Sequence, residues 1–420
     1  MIDASDGLPA HIAVLLNEKF DFSDSRAAMR KLKGMTRELK DQSTSTPVAS
    51  KVSTSDGFKA VLSGGLDLFG GMGACQAPPC RIGYASQIAR SIALMADEVI
   101  VGDSFFDEIN SLKSRPTNND IFPLLVDVMV LKKIQPLIEA GILKFSTPLH
   151  QFCLSCAKPF EERIDILTDQ VLREISSSLK IDRSGETATL DFTQVYSPGV
   201  LIHLDAHRIN GVPDEQIIRE SLKDCIRTTF FDAQSASSIG GSVFSNSPAG
   251  ISALISDDRR SEESWNLQAF SAERAANLPW VSGLSIKQTL ELRSAASAAL
   301  PSLREFLARR LTSTPSSLNP LAWVDTVAEL REQAATARAE LEIATSRSAS
   351  LKRSATGILG LCVSAVCLAT EGPTTALGGL LGTLGLIHSM PAPDSNHSKE
   401  IKTRPGYVLV AAEEILKHAI

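Results

Sequence analysis

Glu98-Val-Ile-Val-Gly102, followed at once by Asp103-Ser-Phe-Phe-Asp-Glu108, is the stretch on which the fold reading turns. Three successive β-branched apolar residues closed by a glycine predict a buried strand, and the acidic run after them opens a helix. Upstream, Ser86 to Ala96 has helical spacing. Downstream, Phe122 to Ala140 is a long apolar helix that Pro136 should kink or end early, with Gly141 as its C-cap and Ile142 to Phe145 as the next strand. Farther on, Thr187 to Phe192 alternates at period two, and Gly199 to Leu204 reads as a strand. Gln216 to Phe231 reads as a helix, Ser242 to Ser245 as a short strand or turn and Pro248 to Ile255 as a helix. Strand–helix–strand order predicts a sheet with crossover helices, an α/β or α+β domain over residues 58–260.

The flanks differ. Residues 1–57 read as a peripheral helical segment and a Ser/Thr-rich linker. It contains an apolar stretch from Ile12 to Leu16, a basic helix from Ser25 to Lys40 capped by Asp24 or Ser25, and a polar tract from Gln42 to Ser55. Residues 261–320 form a helical connector with helices at Glu262 to Asn277, Ser285 to Ala299 and Ser302 to Leu311. Ser285 is a sound N-cap, Pro301 marks a bend and Thr312 to Pro320 is a linker.

The C-terminal region is mainly α-helical. In 321–353, Val327, Leu330, Ala334, Ala337, Leu341, Ala344, Ser348 and Leu351 fall at alternating spacings of 3 and 4, an a/d heptad pattern with one polar member. The seam is Ala-rich, and it suits either an antiparallel pair within the chain or self-association through 327–351. A Gly-rich apolar helical hairpin follows over 354–390. Its two arms, Ser354 to Thr370 and Thr375 to Ile387, carry no charge. Gly357, Gly360, Gly378, Gly382 and Gly385 are the candidate close-packing positions, Gly378 and Gly382 having small-xxx-small spacing. Glycine at this density is poor helix chemistry in water, so lipid or a tightly apposed helix must offset it. The arms are shorter than a full span, while Lys352 and Arg353 before them and Lys399, Lys402 and Arg404 after them would keep both ends on the cytoplasmic side. The tail, 391–420, reads as a polar loop, a strand at Tyr407 to Val410 and a short helix from Ala411.

Composition narrows the field. The chain has 420 residues, 43% of them hydrophobic, which suits a chain with a real core. A net charge of -6 and 5% aromatic residues give no sign of a nucleic-acid partner. Seven scattered cysteines are not a disulfide framework, and Met1 to Ala10 lacks the pattern of a signal peptide, so a cytoplasmic protein is expected, membrane-associated if the hairpin inserts.

Two clusters have metal-ligand spacing. His150, Cys153 and Cys156 form His-x-x-Cys-x-x-Cys, and Cys75 with Cys80 supplies a looser upstream pair. Together they would close a structural zinc site; the plainer reading is ordinary thiols. His203, Asp205 and His207 would share one face of a strand, where a solvated strand end competes with a metal site. The glycine-rich run from Gly64 to Gly73 lacks the Gly-Lys-Ser/Thr ending of a phosphate loop and reads as a loop.

Glu98 to Glu108 is similar to the strand-then-acidic-helix segment of PIN-like nucleases, and Ala236 to Asn246 resembles their closing strand. The resemblance covers about half the chain and is a fold analogy. It implies carboxylates gathered around a divalent metal that activates water. The available acids are Asp67, Asp103, Asp107 and Glu108, but the closing acidic position reads Ser245-Asn246-Ser247. With no catalytic residue assigned, the expected function is that of a bacterial-type effector or stress-response protein. In it, a non-catalytic recognition domain is coupled to a membrane- or partner-associating hairpin. The alternatives are a metal-dependent hydrolase with a degenerate PIN-like domain and a soluble zinc-stabilised scaffold.

Overall fold

A computed structural model describes residues 8–44, 57–63, 66, 68–69, 77–146, 154–184, 187–192, 195, 201–245, 247–257, 283–311, 320–350 and 395–418. The protein is mixed α/β and mostly helical. Its strands are β1 (Lys59–Ser63), β2 (Glu98–Gly102), β3 (Leu143–Ser146), β4 (Lys180–Asp182), β5 (Thr187–Asp191), β6 (Leu201–Asp205) and β7 (Ser242–Ser245). Four of them make a parallel sheet in the order β3-β2-β1-β7, and the other three an antiparallel sheet in the order β4-β5-β6. The Val-Ile-Val strand is β2, buried from Glu98 to Val101. Its neighbour β1, Lys-Ala-Val-Leu-Ser, is buried throughout and lies at the centre of the sheet, although its period gave no distinct signal beside the glycine run.

The parallel sheet separates two cores. Ala60, Leu62, Val99, Val101, Leu143 and Phe145 face one, and Val61, Ile100 and Val243 face the other, as strand alternation requires. The first core is closed by α1 (Ala10–Asn17), α2 (Ser25–Thr44), α3 (Pro78–Met95), α4 (Ser104–Ser111) and α5 (Asn118–Glu139). The second is closed by α6 (Leu154–Ile175), α7 (Asp214–Ser238), α8 (Pro248–Ser256) and the antiparallel sheet. Arg219 and Lys223 of α7 each lie 2.9 Å from Asp165 of α6, and Arg227 lies 2.8 Å from Glu161. This half-exposed network fixes how the two helices register, more than it adds stability.

Several expectations are corrected. The N-terminal segment is not peripheral: Ile12, Leu15, Leu32 and Leu39 are fully buried in the first core. Its helix α2 starts where expected, with the Asp24 carboxylate accepting from the amides of Arg26 and Ala27, but it runs on to Thr44. Helix α5 begins four residues before Phe122, at a Thr117–Asp120 capping box, and it contains both Pro123 and Pro136 without ending at either. A long buried face offsets the two lost backbone bonds. The helix stops where expected: Gly141 takes a φ of 69°, and its amide and that of Ile142 cap the carbonyls of Ile138 and Leu137.

The C-terminal helices extend the first core. They are α9 (Ile286–Ala295), α10 (Leu300–Leu311), α11 (Pro320–Ser350), α12 (Ser395–Ile401) and α13 (Tyr407–Lys417). Ser285 caps α9 in a capping box with Gln288. Arg304 of α10 forms a two-pronged bond to Asp97 at 2.8 and 2.9 Å, while Asp97 accepts from the amide of Phe58. Burial pushes the Asp97 carboxyl up, but the bonds and charge of Arg304 outweigh it and hold the group below its usual range. Tyr407 to Val410 is the start of a helix, not a strand. Four consecutive apolar residues do not distinguish the two states, and the packing partner decides. That partner is α11. Leu330, Ala334 and Ala337 of the heptad seam are buried in the core that holds Tyr407 to Ala412, so this part of the seam is met within the chain. The expected helix from Glu262 to Asn277 and the hairpin glycines Gly357, Gly360, Gly378, Gly382 and Gly385 lie outside the described residues. Among the described residues, no helix is long and apolar enough to cross a membrane.

Candidate functional site at the carboxyl edge of the parallel sheet

Open parallel sheets bind ligands beyond the carboxyl ends of their strands, next to the point where the strand order reverses. Here the chain steps from β1 to β2 to β3 in one direction, and β7 then adds on the other side of β1. The reversal lies between β1 and β7, whose last residues, Ser63 and Ser245, are paired in register. The strand ends at this edge are Ser63, Gly102, Ser146 and Ser245.

Ser245 and the segment after it are internally occupied. The Ser245 hydroxyl accepts from the Ser247 amide, and the Ser247 hydroxyl accepts from the Gly250 amide at the start of α8. Ser247 also donates to the Val195 carbonyl and lies 3.1 Å from the buried Cys225 thiol. The place where a closing acid was sought therefore holds a buried hydroxyl hub that ties α8 to α7 and to the second core.

The acids after β2 separate. Asp103 is buried, caps α4 by accepting from the Phe106 amide, and contacts His11 of α1 at 3.0 Å. Asp107 is exposed in the first turn of α4, where a negative charge suits the helix dipole. Glu108 turns inward to Asp127 of α5, which is fully buried and pairs with Arg81 of α3 at 2.5 Å. The Glu108 carboxyl is raised to about 8, first by burial and then by the charge of Asp127 and their shared hydrogen bond, with the charge of Arg81 opposing them. This direction favours the protonated form of Glu108 at neutral pH, with its proton shared with Asp127. Asp67 lies outside the described residues.

His11, Arg81 and Asp127 carry no site signal in the sequence motifs. Asp127 did leave a signal: it is a lone charge within Leu-Leu-Val-Asp-Val-Met-Val, and a charge in such a run is either paired or misplaced. Its partner Arg81 is 46 positions upstream and has no such signature.

Of the expected zinc ligands, Cys75, His150 and Cys153 lie outside the described residues. Cys80 and Cys156 are exposed, in the first turns of α3 and α6. His203 and Asp205 are exposed on β6, with His203 bonded to Thr189 and Asp205 accepting from the His207 amide in the turn that follows. Among the described residues no three His, Cys, Asp or Glu side chains are grouped to hold a metal ion. No protein-family model, no curated protein and no solved structure matches the chain.

Proposed function

We propose that this protein is a non-catalytic recognition protein, with the carboxyl edge of its parallel sheet as the recognition surface. One observation carries the reading: the described buried acids on α4, its N-cap and α5 serve the fold. Asp103 is matched by His11 and a helix N-terminus, Asp127 by Arg81, and Glu108 by a shared proton. A metal-dependent hydrolase needs ionised carboxylates converging on open space. An acid that is neutral at pH 7 and turned onto another buried acid is a poor ligand for a divalent ion.

The second half of the proposal concerns residues 354–387. In sequence the uncharged segment lies between α11, which ends at Ser350, and α12, which begins at Ser395, and both α12 and α13 pack on α11. Arg404 bonds Glu340 at 2.9 Å, and Arg338 pairs with Glu413. The described helices on either side of the segment thus belong to one platform, as a membrane- or partner-docking hairpin requires. In sequence, Lys352 and Arg353 precede it, and Lys399 and Lys402, both exposed, follow it, which suits an anionic lipid surface.

Incubation of the full chain with single-stranded RNA or DNA and manganese or magnesium tests the non-catalytic half. No metal-dependent cleavage above that of a Glu108→Gln variant is expected. Cleavage that requires the metal and disappears in the variant would overturn the reading.

A further inference from the structure

Helix α2 buries one side and carries an unpaired cationic flank. Arg26, Arg30, Lys33 and Arg37 follow one another at spacings of 4, 3 and 4 residues. At about 100° and 1.5 Å per residue, they lie within roughly 60° of one another in a line about 16 Å long. The three arginines are exposed, and among the described residues none of them has an ion-pair partner. Lys33 is half-buried and donates to the Asn118 side chain at 2.7 Å. Ala28, Leu32, Met35 and Leu39 hold the other side of α2 in the first core, so the flank keeps its outward aim.

Neighbouring elements extend the patch. Lys40 reaches the Leu112 carbonyl and Lys33 reaches Asn118, so α5 runs antiparallel to α2. The segment between α4 and α5 adds the exposed Lys113 and Arg115 near the C-terminal half of α2. One turn beyond Asn118, on the same side of α5, Phe122 is 42% exposed, and Pro123 beside it is exposed too. The antiparallel run sets Phe122 toward the N-terminal half of α2, which carries Arg26 and Arg30. The acids of this region are committed or turned aside. Asp24 and Asp120 cap α2 and α5, and Glu18 pairs with Lys31 at 2.6 Å. Glu38 follows Arg37 by one residue, about 100° round the helix, and Asp41 stands at the end of the line.

We propose that this flank of α2, with Lys113, Arg115 and Phe122, docks onto an anionic lipid bilayer. The arginines bind headgroup phosphates and carboxylates, and the Phe122 ring enters the interface. The surface is separate from the 354–387 segment and does not depend on it. Three features select a bilayer. Guanidinium groups make two-pronged, charge-assisted bonds to phosphate and carboxylate oxygens. A straight line of cations on a helix fixed by its buried side matches a flat charged surface. An exposed phenyl ring has no polar handle and gains by leaving water for the headgroup and acyl boundary. A single-stranded nucleic acid needs a cationic groove with several stacking rings, whereas Phe122 is the one exposed phenylalanine among the described residues.

Co-sedimentation of the full chain with vesicles of phosphatidylcholine, and of phosphatidylcholine with about 30% phosphatidylserine, tests this. Affinity at least about tenfold higher for the anionic vesicles at low ionic strength, and lost near 0.5 M salt, is the expected result. Arg26→Glu/Arg30→Glu/Arg37→Glu should abolish that preference, since glutamate keeps the helix propensity and reverses the charge. Phe122→Ala should weaken anionic-vesicle binding several-fold. An equal change of charge elsewhere, Lys158→Glu/Lys180→Glu/Arg208→Glu at exposed positions, should leave most of the preference in place. Equal affinity for the two vesicles, or a preference that survives the α2 reversal, would overturn the proposal. So would binding of a short DNA duplex through these arginines without binding to the anionic vesicles. The vesicle comparison on the unaltered chain stands even if a variant fails to fold. Insertion of the 354–387 segment would hold both vesicles alike at high salt, so its failure and that of the α2 flank give separate signals.

Discussion

Arg81→Met is expected to destabilise the protein by about 3–5 kcal/mol, the usual cost of stripping one partner from a buried ion pair. The variant leaves Asp127 with no exposed surface and without its guanidinium, beside a second acid, Glu108. Methionine fills most of the vacated volume, so the loss reports charge and hydrogen bonding more than a cavity. The double variant Arg81→Met/Asp127→Leu should recover most of the loss, because no uncompensated charge remains inside. Denaturant unfolding of the parent, both single variants and the double variant measures the coupling. Additive losses would mean that the contact between α3 and α5 does not depend on this pair.

Gly406→Leu should be the most damaging change in the C-terminal region. A Cβ at Gly406 would lie 2.5 Å from the Ala334 amide nitrogen and 2.5 Å from the Gln333 carbonyl carbon. Both are backbone atoms of α11, so no rotamer change can relieve the contact, and α13 must move away. Overpacking costs about 1–3 kcal/mol where a core can adjust. Here the displaced face carries Tyr407, Val408 and Ala411, which are buried with Leu330, Ala334 and Ala337, so the upper end of that range or beyond is expected. Hydrogen exchange should show loss of protection spreading from Tyr407–Lys417 into Pro320–Ser350 while the parallel sheet stays protected. Unchanged protection in both helices would refute the close approach.

Legibility from sequence followed the range of the forces involved. Elements set by local chemistry were readable: β2 from Val-Ile-Val, the end of α5 from Gly141, the caps at Asp24 and Ser285, and β7 before Pro248. Elements set by distant partners were not. The burial of α1 and α2 depends on α4 and α5, and the helical state of Tyr407 to Val410 depends on α11. Strand β1 is short and central, and its five residues gain their meaning only between β2 and β7.

The site divides in the same way. Asp103 and Glu108 were visible as acids after a strand, but sequence spacing could not show that one points at His11 and the other at Asp127, 92 and 19 positions away. Three acids close in sequence, Asp103, Asp107 and Glu108, suggest a shared ligand. In the fold, α4 carries Asp107 outward and Glu108 inward, because adjacent residues on a helix point about 100° apart.

The central claim is that the acids of the carboxyl edge serve the fold, with Glu108 protonated at neutral pH. It is tested most directly by the pH dependence of stability in the parent and in Glu108→Gln. The Glu108 carboxyl stands at about 8 in the folded protein against 4.5 for the free side chain. A folded value above the unfolded one means that the native state holds the proton more tightly. This contribution is complete below the unfolded value and is lost as pH rises through the folded one. Unfolding measured between roughly pH 5 and 9 should therefore show the parent losing stability relative to Glu108→Gln as pH rises, since glutamine keeps the donor and cannot ionise. The two should be closest at the acid end. A stability difference that does not change across the range would contradict the account, because Glu108 would then be ionised throughout and available as a ligand.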